Sequence, residues 1–120
     1  MVRGKKPQLS ASKEDIRDLN PLSKESIVNN LRDRYANNAF YTRIGSNIVI
    51  AVNPNRRTDA ISEETEMSYL EDAMDTSNEG SKKKLPPHVY EIASKAYLHL
   101  CRNGEDQSII LRYCQNFEKI

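Results

Sequence analysis

The sequence predicts an α+β domain whose small sheet holds a β-hairpin and one further short strand, packed by helices. Three patterns predict it. An apolar stripe at helical spacing occupies Ile27, Leu31 and Tyr35. The run YTRIGSNIVIAVNP breaks two β-branched, aromatic stretches at Gly45-Ser46. A second and longer stripe runs through Val89, Ile92, Ala93, Ala96, Tyr97 and Leu100.

The elements follow in order. Residues 1–14 mix Lys, Pro, Ser and Gly without period and predict a disordered leader. Ser23 is placed to cap a helix, with Glu25 favourable in its first turn. Val28 joins the Ile27, Leu31, Tyr35 stripe, Arg32 and Arg34 fall off it, and Asn37-Asn38 suits a helix end. Phe40 to Ile44 then predicts a strand, and Gly45-Ser46 fits a two-residue II′ turn. Ile48 to Val52 is continuously apolar, as in a strand buried on both faces. Pro54 ends it, because proline cannot donate to a ladder. Ser62, followed by Glu63 and Glu64, predicts a further helix that fades near Asp75. DTSNEGSKKK predicts a surface loop. Pro86-Pro87, Arg102 and Gly104 bracket the strongest helix in the usual asymmetry. QSIIL predicts the last short buried strand.

Composition narrows the function classes. In 120 residues, 38% are hydrophobic and 29% charged, so a self-sufficient core would be thin. A formal net charge of +1 supplies no field for nucleic acid or a membrane surface. No apolar run approaches the roughly 20 residues of a membrane span. Cys101 and Cys114 form neither a CxxC pair nor a secreted disulfide framework, which predicts a reduced, cytoplasmic chain.

Most chemistry-bearing residues have structural readings. His88 and His99 lie on one helix about 16 Å apart, too far to share a metal, and read as capping or solvent-facing. Cys101 reads as a packing residue. SEETEMSYLED reads as a solvated helix face, and Lys82, Lys83 and Lys84 as a loop charge run. No zinc spacing, EF-hand loop or nucleophile elbow is present. One constellation offers more: a strand running into Asn53-Pro54, with Arg56 close behind. An asparagine amide can donate and accept along a purine edge. Proline offers a flat apolar surface, and arginine can cover a base or reach a phosphate.

Four blocks in order carry a family resemblance. NLRDRY resembles the NLxxRY helix of the myosin motor domain. YTRIGSNIVIAVNP resembles the motor's hairpin, whose second strand enters the purine-binding NP loop. LPPHVYEIASKAY is similar to PPHxxxxAxxAY, and QSIIL to the strand that feeds the phosphate-binding loop. Together they span about Asp15 to Leu111. YTRIG and the LPPHVYEIASKAY to EDQSII stretch look closest to the myosin-like head of fungal myosin–chitin synthases.

The resemblance implies part of a P-loop-type motor fold over residues 15–111. By that resemblance, Asn53, Pro54 and Arg56 form the adenine-contacting loop, with Arg56 standing where the family usually has lysine. The aromatic expected a few residues on is replaced near Ile61. The parent activity would be ATP hydrolysis with Mg²⁺, driving movement on actin and sometimes serving chitin synthase. The implied partners are actin and the remainder of a motor domain.

The family continues from the last strand into GESGxGKS or GESGxGKT, whose glycines and lysine cradle the phosphates. Here Ile110 is followed by LRYCQNFEKI, with no glycine after Gly104. Residues 112–120 therefore read as a divergent tail, from a truncated product or a mis-joined gene model. The chain itself is expected to have no ATPase and no tight cofactor. Two rivals are a stand-alone interaction module built on the hairpin and the last helix, and a small nucleotide-binding protein using the NP loop alone.

Overall fold

A computed structural model describes residues 12–76 and 84–113. After a single 3-10 turn at Ile16–Asp18 come α1 (Lys24–Ala36), β1 (Tyr41–Ile44), β2 (Ile48–Ala51), α2 (Glu63–Met74) and α3 (Val89–Asn103). The helix boundaries follow the caps that the sequence offers. Ser23 accepts from the Ser26 amide while Ser26 Oγ accepts from the Ser23 amide, closing a capping box. Ser62 accepts from the Thr65 amide, and α2 ends at Asp75. At the far end of α3, Gly104 takes φ +65 and returns its N–H to the Leu100 carbonyl.

The strands pair antiparallel, Thr42 facing Ile50 and Arg43 facing Val49. The turn holds three residues, Gly45 to Asn47, and not the two expected, because Ile44 pairs directly with Ile48. Gly45 has φ +66, a left-handed conformation that favours glycine. Its amide reaches the Asp15 carboxylate. Arg17, ahead of the backbone amides of Arg17 and Gly45, holds that carboxyl down to about 2, against the burial that works to raise it.

The expected third strand is not formed. Residues 107–111 have no regular secondary structure, with Ile110 and Leu111 both 83% exposed. A strand exists by virtue of its ladder, and among the described residues no second strand reaches this segment. β1 spends its free edge elsewhere: the Arg43 amide donates to the Glu14 carbonyl, and Asp15 bridges Arg43. The outer edge of β2 stays open within the described sheet. β2 is not buried on both faces either. Val49 and Ile50 are half-buried while Ile48 and Ala51 are exposed, with α3 packed against the strand.

The interior is unusually polar. Among the described residues, Ile16, Phe40, Tyr69 and Pro87 are the buried apolar ones, alongside buried Asp15, Asn30, Arg34, Thr42, Arg43, His88 and Ser94. On α1, the inward face mixes half-buried Ile27 and Leu31 with buried Asn30 and Arg34. Val28 and Tyr35 are exposed, while Asn30 and Arg34, one turn apart, point inward. Asn30 holds both backbone groups of Lys13, at 2.7 and 3.0 Å. Lys13 and Glu14, read as leader, are thus tied to the body; residues 1–11 lie outside the described residues. Arg34 donates from Nε to Thr42 Oγ1 and from Nη2 to the Tyr41 carbonyl, both at 2.9 Å.

α3 behaves the same way. It turns Ser94 inward and leaves Tyr97 58% and Leu100 43% exposed. Arg43 pins the N-terminal part of α3 by donating from Nη2 to Glu91 Oε2 at 2.9 Å and to the Leu85 carbonyl at 3.2 Å. Lys95 joins Glu91 Oε1 to the Ser46 carbonyl in the hairpin turn.

Candidate functional site

The candidate loop begins where the ladder ends. The Val52 amide donates to the Phe40 carbonyl at 2.8 Å, the last rung of the hairpin. Asn53 Oδ1 then accepts from the Asn55 amide at 2.9 Å, an Asx-type turn, and Asn55 adopts φ +53. Asparagine tolerates that left-handed conformation better than most side chains. One acceptor of Asn53 is thereby engaged in shaping the loop. Its Nδ2 makes no hydrogen bond among the described residues and remains the group it offers outward.

Helix α1 braces the loop from behind. Tyr35 donates its hydroxyl to the Pro54 carbonyl at 3.3 Å and packs edge-on to Phe40, ring centroids 5.4 Å apart. Arg56 folds back onto the same ring. Its Cζ sits 5.5 Å from the Phe40 centroid, and its Nη2 donates to Asn38 Oδ1. Asn38 is itself left-handed, at φ +60.

Asn53 and Arg56 consequently face different clefts. Asn53 lines one of about 360 Å³ with Leu31, Arg32, Tyr35 and Val52. Arg56 lines another of about 310 Å³ with Asn38, Phe40, Arg57, Thr58, Asp59 and Ala60. Pro54 lies half-buried between the two in sequence. Asn53 and Arg56 thus share a loop but line two different clefts. Ile61, where an aromatic was expected, is 64% exposed. Sequence reading missed the bracing by Tyr35 and Asn38. The signal was present in NLRDRYANN, but a helix stripe does not say which of its members will reach a loop 19 residues away.

The other singled-out residues take structural roles. His88 is buried and caps α3, with Nδ1 accepting from the Tyr90 amide and Nε2–H donating to the Ala60 carbonyl. His99 is exposed and meets Glu105 at 3.0 Å. Tyr69, pushed up to about 12 by burial with Glu91 adding to it, keeps its proton and donates to the Pro86 carbonyl. Cys101 is exposed rather than packed. Lys82, Lys83 and Cys114 lie outside the described residues. Among the described residues, no three His, Cys, Asp or Glu side chains gather to hold a metal. Among the described residues, no helix is long and apolar enough to cross a membrane.

Comparison with known proteins adds an independent finding. Residues 13–112 match the family described as myosin head (motor domain). The chain is 35% identical over 88% of its length to the high molecular weight form of myosin-1 from Acanthamoeba castellanii. It is 33% identical over 88% to myosin-4 of Arabidopsis thaliana. Chitin synthase 8 of Mycosarcoma maydis matches at 31% identity over 80%. The chain spans only 6%, 8% and 5% of the length of these three relatives.

Proposed function

Because this chain belongs to the myosin head family, we propose that its described body is a structural segment of an ATP-driven motor head, working in the cytoplasm. The parent activity is Mg²⁺-dependent ATP hydrolysis coupled to movement on actin. In a myosin–chitin synthase parent, it would serve the polymerising enzyme. The segment supplies the hairpin, the NP loop and the α3 helix that leads toward the phosphate site. It does not hydrolyse ATP by itself, since phosphoryl transfer needs positioned phosphates, Mg²⁺ and an oriented water, and these 120 residues contain no GxxxxGKS or GxxxxGKT.

The observation that carries this reading is the placement of the two apolar stripes. Val28 and Tyr35 on α1, and Val89, Tyr97 and Leu100 on α3, are at least 37% exposed. An independent domain buries the apolar face of its helices. These faces fit an interior formed with further polypeptide, the remainder of a motor head. A chimera tests it: residues 13–112 replace the aligned segment in a full-length homologous motor. We expect a soluble chimera with actin-activated ATPase. A chimera that folds yet has lost all nucleotide-dependent release from actin would sink the proposal.

For the isolated chain, the loop geometry predicts feeble nucleotide binding. Asn53 Nδ2 and the Pro54 surface reach a base, while Arg56 is turned toward Phe40 and Asn38. A few solvated contacts supply at most a few kcal/mol before the cost of association. Dissociation constants weaker than about 1 mM are expected, nearly equal for ATP and adenosine. Isothermal titration with both ligands decides it; micromolar ATP binding with clear preference over adenosine would reveal a phosphate site in this chain.

A further inference from the structure

A cleft of about 440 Å³ opens between the end of α1, β1 and the start of α3. Its size is in the range of small-ligand sites. Phe40, Tyr41, Tyr69 and His88 form aromatic walls, and Arg34 and Glu14 supply charge. Tyr41 and Tyr69 pack at a tilt against His88 with centroids 4.4 and 5.1 Å away, so the walls are held in place.

Arg34 is the unusual member. It is only 6% exposed, yet among the described residues no carboxylate comes within 4.0 Å of it. Its two hydrogen bonds go to neutral acceptors, Thr42 Oγ1 and the Tyr41 carbonyl. Nη1 makes none, and it is not sealed from solvent. Burial pulls its pKa below the ordinary value, with the attraction of Glu14 only partly offsetting it. Buried charges are normally paired. Glu14 is half-exposed, and lies 3.8 Å from Arg43 instead. A buried cation with a free N–H on an aromatic-walled cleft calls for an anion with a flat apolar body.

We propose that this cleft binds a small aryl carboxylate, its carboxylate on Arg34 Nη1 and its ring among Phe40, Tyr41, Tyr69 and His88. The site shares the Phe40 ring with Arg56 of the NP loop but is not the NP loop itself, and it does not rest on the motor reading.

Amide chemical-shift titrations of the full chain test it, with phenylacetate, phenylacetamide and acetate as probes. Phenylacetate should give saturable shifts at Thr42 and His88. Phenylacetamide and acetate should each bind at least about tenfold more weakly, lacking the charge-assisted bond or the ring. Arg34→Lys keeps a charge but loses the guanidinium fork, and should weaken phenylacetate about tenfold. Glu14→Gln removes a repelling carboxylate and should tighten it. Equal affinity for phenylacetate and phenylacetamide, equal affinity for acetate, or no saturable shift would overturn the proposal, as would unchanged or weaker binding by Glu14→Gln. If Arg34→Lys loses its dispersed spectrum, the ligand contrasts and Glu14→Gln decide alone.

Discussion

Arg43→Ala is expected to lower stability by about 3–5 kcal/mol, the cost of removing one partner from a buried ion pair. Arg43 is 4% exposed and reaches three places at once. It donates to Glu91 on α3, donates to the Leu85 carbonyl ahead of that helix, and lies 3.8 Å from Glu14 on the N-terminal segment. Its removal leaves Glu91 half-stranded. Burial works to raise the Glu91 carboxyl, but hydrogen bonds from Arg43 and Lys95 outweigh it and hold the group below its ordinary value. Without Arg43 only Lys95, itself 45% exposed, remains. A core whose buried residues are mostly polar among those described has little reserve against a loss of that size. Urea unfolding of the wild type, Arg43→Ala, Glu91→Gln and the double variant measures the coupling. A double variant as costly as the two singles added would show that the pair is not the origin of the effect.

The second large effect is a loss of stability below neutral pH, centred on His88. Its ring is 4% exposed, packed by Tyr41, Tyr69 and Tyr90, and both nitrogens are engaged. Nδ1 must stay unprotonated to accept from the Tyr90 amide 3.0 Å away. Burial lowers the His88 pKa below its ordinary 6.5, and the Ala60 hydrogen bond offsets this only in part. In the unfolded chain the ring takes up a proton near pH 6.5, whereas the folded chain resists it to lower pH. Between those two values the unfolded state binds more protons, so stability rises with pH there. The contribution is intact above the unfolded value and is lost as pH falls through the folded one, at up to about 1.4 kcal/mol per pH unit. His88→Asn keeps a capping acceptor without a titrating ring. Urea midpoints for both proteins at about pH 7.5 and about pH 5.5 isolate the effect, because His99 is common to both. If the variant shows the same drop as the wild type, His88 is not the sensor.

The sequence by itself determined the elements whose signals are local. Ser23, Ser62 and Gly104 marked helix ends because caps act on the N–H and C=O groups of their own turn. The YTRI and IVIA runs on either side of Gly45 marked the hairpin, for the same reason of short range. The family was legible too, since its four blocks are patterns in the chain itself.

Tertiary structure alone decided which faces are buried and which side chains meet. Periodicity marks Ile27, Leu31 and Tyr35 as the inward face of α1; Ile27 and Leu31 are half-buried there, but Asn30 and Arg34 share the face because the Lys13 backbone, the Thr42 hydroxyl and the Tyr41 carbonyl stand opposite, and Tyr35 turns to the Pro54 carbonyl. QSIIL had the composition of a strand, yet a ladder needs a partner edge, and its neighbours in sequence do not supply one. Asn53 and Arg56, three residues apart, were read as one site, and the turn at Asn55 and the pull of Phe40 and Asn38 set them on two clefts. A sequence states what each residue can bury or bond; which partner stands opposite is decided only when distant segments, such as Glu14, Arg43 and Glu91, come within a few ångströms of one another.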